Sequence, residues 1–109
     1  MVSDRERLLK QFDVAMFNIY RDAKVKAKYN ATLFLQMLSE HGGYDTALRL
    51  IRSERPSDGY TALFERGQLE LTVEALAIKT PWNSLFIESD LTKAAGRLKQ
   101  YKYKFEESR

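Results

Sequence analysis

Cysteine is absent from the 109 residues. That excludes a disulfide framework, thiolate metal ligands and a cysteine nucleophile, and it suits a reducing compartment. Only two prolines and five glycines are present, which leaves room for long helices and argues against a turn-dense β-sandwich. There is a single histidine, His41. A catalytic zinc site needs two or three well-placed protein ligands, and His41 has no second histidine or cysteine to join it. No apolar run approaches the roughly 20 residues that span a bilayer. The N-terminus, MVSDRERLLKQFD, has neither the apolar h-region nor the small-residue cleavage site of a signal peptide. A nucleophile elbow, a glycine-rich phosphate loop and a dinucleotide fingerprint are also missing. The expectation is therefore a cytoplasmic, non-enzymatic protein with no cofactor, no metal and no membrane partner.

What is present suits one small globular domain. Hydrophobic residues make up 44% and charged residues 30%, too apolar a balance for a disordered chain. The expected domain covers residues 1–105, with 106–109 as a frayed tail. Ser3 followed by Glu6 is a capping-box start. Leu8, Phe12, Ala15, Met16, Ile19 and Ala23 then recur at spacings of three and four, which predicts an amphipathic helix over about residues 4–27. Asn30 suits an N-cap. Leu33, Phe34, Met37, Leu38 and His41 predict a second helix that Gly42-Gly43 ends. Tyr44, Ala47, Leu48 and Ile51 predict a third, which Pro56 stops.

The stretch from Pro56 to Ile78 is the most distinctive in the chain. Ser57-Asp58-Gly59 forms a turn or cap, and Tyr60, Leu63 and Phe64 give a short amphipathic segment before a break at Gly67. Residues 68–78 carry two patterns. Leu69, Leu71, Val73 and Ala75 alternate as in a strand, whereas Leu69, Val73, Leu76 and Ala77 fit a helix. No second strand is available to pair with it, so the helix is preferred. Further on, Thr80-Pro81 opens a short turn, and Trp82, Leu85, Phe86 and Ile87 plug one end of the core. Ser89 caps a last helix with Leu91, Ala94, Ala95, Leu98 and Tyr101 as its buried stripe, and Gly96 suggests close approach to a neighbouring helix. The fold expected is all-α, a single compact domain of five to six helices with a long N-terminal helix.

Charge is distributed unevenly. Residues 1–30 carry net +3, residues 56–90 net −4 and residues 91–109 net +4. Basic ends thus flank an acidic middle. Nucleic-acid binding is one expectation from this pattern, through basic segments at 21–28 and 97–104 and a weak helix-turn-helix-like stretch at 30–55. Its candidate contacts are Arg21, Lys24, Lys26, Lys28, Arg49, Arg52, Lys102 and Lys104. Lys102 and Lys104 interleave with Tyr101, Tyr103 and Phe105 in a way that could stack on bases. Glu70 and Glu74, four apart, share a face if the segment is helical. They suggest a wet acidic surface, or a clasp between this middle and a basic end.

Protein interaction is the other expectation, and the preferred one. Thirteen aromatic residues are many for a small core to hide, and tyrosine and tryptophan are enriched at interface anchors. The candidate surface comprises Tyr60, Glu70, Glu74, Trp82, Tyr101 and Tyr103, engaging a protein partner or a second copy. Finally, SDGYTALFERGQLELTVEALAI, with YNATLFLQMLSEHGG before it and SLFIESDLTKAAGRLKQY after it, resembles a family of small uncharacterised bacterial proteins. The likeness covers roughly residues 20–103. It implies a bacterial or phage-related source and a compact all-α fold, and it carries over no activity or catalytic residue.

Overall fold

The computed structural model describes residues 3–101. The first helix, α1, spans Asp4–Lys26. Its N-cap is Ser3, whose hydroxyl accepts from the Glu6 amide at 3.1 Å and so satisfies one of the helix's orphan donors. The predicted stripe is its inner face: Phe12, Met16, Ile19 and Ala23 are all buried.

The second helix, α2, spans Thr32–Arg52 and is broken at Gly42, where φ is +80°. Glycine reaches this conformation without steric cost, so the predicted helix–glycine–helix is realised as two helical halves around one kink. Gly43 has a different role. A Cβ there would lie 2.6 Å from Asp13 Oδ1 and 3.1 Å from the Asp13 Cα. Its amide donates to Asp13 Oδ1 at 2.7 Å. The missing side chain is what lets α1 and α2 approach.

The third helix, α3, spans Asp58–Glu65, with Ser57 as its N-cap accepting from the Tyr60 amide. Gly67, at φ +68°, turns the chain into a 3-10 turn at Leu69–Leu71. Thr72 then caps α4, Val73–Ala77. Its hydroxyl donates to the Leu69 carbonyl at 2.7 Å and accepts from the Ala75 amide at 3.2 Å. A second 3-10 turn at Trp82–Leu85 leads into α5, Glu88–Gln100. The all-α expectation holds, with a long first helix and five α-helices among the described residues.

Residues 68–78 are helical, in two pieces joined at Thr72 rather than one. The strand-like alternation arises because Leu69 and every residue from Leu71 to Ala77 is buried, so position in the sequence no longer marks a face. The core joins Phe12, Met16, Leu38, Ile51, Leu76 and Leu85 across the helices. Phe12 packs on Trp82 and on Phe86, each at 5.7 Å between ring centroids, so the expected aromatic plug is present. Ile87 does not belong to it, being 60% exposed at the N-cap of α5.

Other local expectations are corrected. Asn30 does not cap α2; its side chain accepts from the Tyr20 hydroxyl at 3.2 Å, and Ala31 occupies the cap position. Ser89 lies inside α5, whose cap position is Ile87. His41 lies on the exposed side at the kink, within 4 Å of Glu40 and Asp45, and not on the face of Phe34 and Leu38. Gly96 touches no neighbouring helix: nothing lies within 4 Å of a Cβ built there.

The two glycines therefore predict opposite outcomes. Gly43→Ala forces Asp13 and the α1 backbone aside and is expected to lower stability by about 1–3 kcal/mol. Gly96→Ala fills open space on a helix and is expected to raise it by up to about 1 kcal/mol. Urea denaturation of the two variants checks both signs.

Candidate functional site

The least expected feature is a buried ion pair. Glu74, on α4, is 2% exposed and Arg97, on α5, 7%. Arg97 Nη1 donates to Glu74 Oε2 at 2.7 Å and to the Leu50 carbonyl at 3.2 Å, while Nη2 donates to the Ser53 carbonyl at 2.8 Å. Leu50 and Ser53 belong to the end of α2, where carbonyls have no partner within the helix. Arg97 thus neutralises a buried carboxylate and completes the C-terminus of another helix at once. The Arg97 carbonyl in turn accepts from the Tyr60 hydroxyl at 3.1 Å. Burial pushes the Glu74 carboxyl up from its ordinary value, against the opposing pull of the Arg97 hydrogen bond. Burial also raises the Tyr60 hydroxyl.

A second pair reinforces the same seam. Arg52 grips Asp90 with two parallel bonds, Nε to Oδ1 at 2.8 Å and Nη2 to Oδ2 at 2.9 Å. Lys93 donates to the Arg52 carbonyl at 2.9 Å. The Arg52 hydrogen bonds hold the Asp90 carboxyl below its usual 3.8.

These contacts decide the placement of the sequence-predicted residues. Tyr60 and Glu74, expected on an interaction surface, are interior residues, the first at 2% exposure. Each has a long-range partner on α5 that makes burial tolerable. Glu70 is exposed on the first 3-10 turn, so the two glutamates do not share a face. Trp82 is half-buried on the core, and half-buried Tyr101 meets Tyr60 and Phe64 edge-on at 5.0 and 4.9 Å. Phe64 is itself partly exposed. Arg21, Lys24, Lys26 and Lys28 are exposed around the end of α1, with Arg21 bonded to the Asn18 side chain. Arg49 pairs with Asp45 at 2.9 Å, and Arg52 is held by Asp90. In the helix-turn-helix-like stretch, Thr46 is fully buried and cannot reach a groove. Tyr103, Lys102 and Lys104 lie outside the described residues.

Two features remain open to other molecules. One is the outer face of α1. Arg7, Lys10, Val14, Phe17, Arg21 and Val25 follow one another at spacings of three and four on the side opposite Phe12 and Met16. Val14 is 60%, Phe17 44% and Val25 62% exposed. The other is a cavity of about 190 Å³ between α1, α2, α3 and α4, which Glu74 helps to line. Among the described residues no helix is long and apolar enough to cross a membrane. Comparison with protein-family models, with curated proteins and with solved structures finds no match to the chain.

Glu74 and Arg97 carried signals that pattern reading passes over. Glu74 sits inside the otherwise apolar run Val73–Ala77, and Arg97 stands three residues after buried Ala94 and next to buried Leu98. Removing one partner of a buried pair strands the other charge. Arg97→Met is expected to cost about 3–5 kcal/mol, and Glu74→Leu combined with Arg97→Met is expected to recover part of that loss. Thermal and urea unfolding of the single and double variants measure it.

The Asp90 pair predicts a pH dependence. A carboxyl whose folded pKa lies below its unfolded value contributes stability above the unfolded value and loses it as pH falls through the folded one. Stability is therefore expected to fall below about pH 4, and Asp90→Asn, measured by urea unfolding from pH 2 to 6, is expected to flatten that acid limb.

Proposed function

We propose that this protein is a non-catalytic binding domain that takes a protein partner on the outer face of α1. The observation that carries the reading is the stripe of Val14, Phe17 and Val25, exposed on the same face of α1 as Arg7, Lys10 and Arg21. Phe17 at the centre has the character of an interface anchor, and the cations form a rim around it.

Charge identifies the partner's chemistry. The stripe itself carries cations and no acid. Arg7 is paired with neighbouring Asp4 at 3.6 Å, which leaves Lys10 and Arg21 as its cations without an acidic partner among the described residues. Its complement is therefore a segment with an apolar centre and acidic flanks, such as an amphipathic helix. Self-association through the same face would set Arg7, Lys10 and Arg21 against their own copies or one another, whichever way the helices ran. A heterotypic partner is therefore favoured over a homodimer.

Exposed Lys24, Lys26 and Lys28 at the end of α1 support a nucleic-acid reading as the second one. Phosphate contacts, however, leave Val14, Phe17 and Val25 without an apolar counter-surface.

The test is a binding titration of the full chain with a synthetic amphipathic peptide whose leucine stripe is flanked by glutamates. Phe17→Ser and the Arg7→Glu/Arg21→Glu pair are each expected to weaken binding about tenfold or more, with the unfolding midpoint unchanged. Binding to a DNA or RNA oligonucleotide that falls steeply with salt and ignores Phe17→Ser would replace the proposal with the nucleic-acid reading. A concentration-dependent dimer by light scattering that Phe17→Ser abolishes would replace it with self-association.

A further inference from the structure

The cavity between α1, α2, α3 and α4 has a volume of about 190 Å³. Its walls are mainly apolar, from Ile19, Ala23, Phe34, Leu63, Leu71 and Val73. Leu33, 66% exposed, stands among the lining residues at the solvent side. One water accounts for about 30 Å³ in the liquid, and an apolar cavity of about 150 Å³ is enough to admit a benzene ring. The space here accommodates a ring with a substituent, and Asn30, Thr32, Ser57, Asp58 and Thr72 add polar groups to its lining.

The polar end of this space is specific. Glu74, Leu50 and Tyr60 all contribute to the lining, and Arg97 binds two of them, the Glu74 carboxylate and the Leu50 carbonyl. Its other terminal nitrogen is turned to the Ser53 carbonyl, and the Tyr60 hydroxyl is directed at the Arg97 carbonyl. Both Nη1 hydrogens, one Nη2 hydrogen and the Tyr60 hydroxyl are thus committed to protein acceptors. What remains is the acceptor capacity of a carboxylate, which has about four lone-pair sites.

We infer that the cavity is a binding site for a small neutral apolar ligand, one ring or two fused rings in size, that carries a hydrogen-bond donor and places it toward Glu74. Phenols and indoles have this chemistry. The apolar walls select the ring, and the carboxylate rewards a donor. An anionic ring is disfavoured because Asp58 also lines the space and the cation nearest Glu74, Arg97, is already engaged by that carboxylate, so a further negative charge would find no counter-charge.

Phenol, indole, benzene and benzoate, titrated separately into the isotope-labelled full chain and followed by amide and methyl NMR shifts, test the inference. Phenol and indole are expected to bind with Kd of about 1 mM or tighter, shifting Ala23, Leu63 and Val73. Benzene is expected to bind more weakly, and benzoate at least about tenfold more weakly than phenol. Ala23→Leu fills the cavity and Leu33→Trp obstructs its rim; both are expected to abolish these shifts. Leu33 is a surface position, so that variant decides the matter if Ala23→Leu fails to fold. Phe17→Ser is expected to leave phenol binding unchanged, which separates this site from the outer face of α1. Absence of binding by any probe at millimolar concentration, shifts centred away from the cavity, or binding that survives Leu33→Trp would overturn the assignment. Equal affinity for benzoate and phenol would overturn the role given to Glu74.

Discussion

Arg97 is the residue on which the rest of the structure depends. Its side chain joins α5 to Glu74 on α4 and to the Leu50 and Ser53 carbonyls at the end of α2, and its carbonyl receives Tyr60 from α3. Three helices meet at one guanidinium, and a fourth reaches the same residue through its carbonyl. A buried ion pair by itself is weak evidence for stability, because taking two charges out of water costs about as much as their attraction returns. Here the balance differs because the guanidinium also satisfies the Ser53 carbonyl at the end of α2 and gives a second donor to the Leu50 carbonyl, which already accepts from the Ser53 hydroxyl at 2.8 Å. That role explains why arginine suits the position. A lysine ammonium is a compact point charge without the spread fork of donors by which Arg97 reaches the carboxylate and two carbonyls from two separate nitrogens.

The short elements become intelligible from this centre. An isolated five-residue helix such as α4 has no stability of its own in water. It persists because Thr72 caps it, because Val73 to Ala77 are all buried, and because Glu74 is anchored to α5. The long helices are fastened differently. Gly43 admits Asp13 and brings the kinked α2 against α1, while the Arg52–Asp90 fork and Lys93 bind the end of α2 to the start of α5. Polar contacts thus tie helix ends together, while the aromatic contacts of Phe12, Trp82 and Phe86 pack within the core beside them.

The parts of this fold that can be read from sequence are those set by local periodicity. The spacing of Phe12, Met16, Ile19 and Ala23 specifies α1 because a solvated helix writes its inner face directly into the chain. Gly42-Gly43 marks the break in α2 for the same local reason. Residues 69–77 are less legible, since a segment buried on every side carries no amphipathic period, and its alternation imitates a strand. The candidate sites are harder still. Glu74 and Arg97 are 23 residues apart, and nothing local distinguishes an arginine that will be buried from the other cations of α5. Tyr60 shares that difficulty: its burial follows from a hydrogen-bond acceptor 37 residues away. The clasp between the acidic middle and the basic C-terminal segment could be anticipated as a possibility of charge, whereas its partners required the fold.

The same pairing shapes the surface. Each internal ion pair removes one charge of each sign, so the formal +3 of the chain is carried wholly by what lies outside the pairs. Two acids of the middle segment, Glu74 and Asp90, are engaged in this way, and Asp13 is turned to the Gly43 amide. The outer stripe of α1 consequently keeps Lys10 and Arg21 without an acidic residue among them, around apolar side chains that no described element covers. On the opposite side of the same helix, Ile19 and Ala23 border the cavity. The second half of α1 therefore faces solvent on one side and, beside its contacts with Leu63 and Leu71, a partly unfilled space on the other. In a protein whose other helix ends are tied by charge, a segment bordered by solvent and by an unfilled space is where binding can occur at small cost to stability.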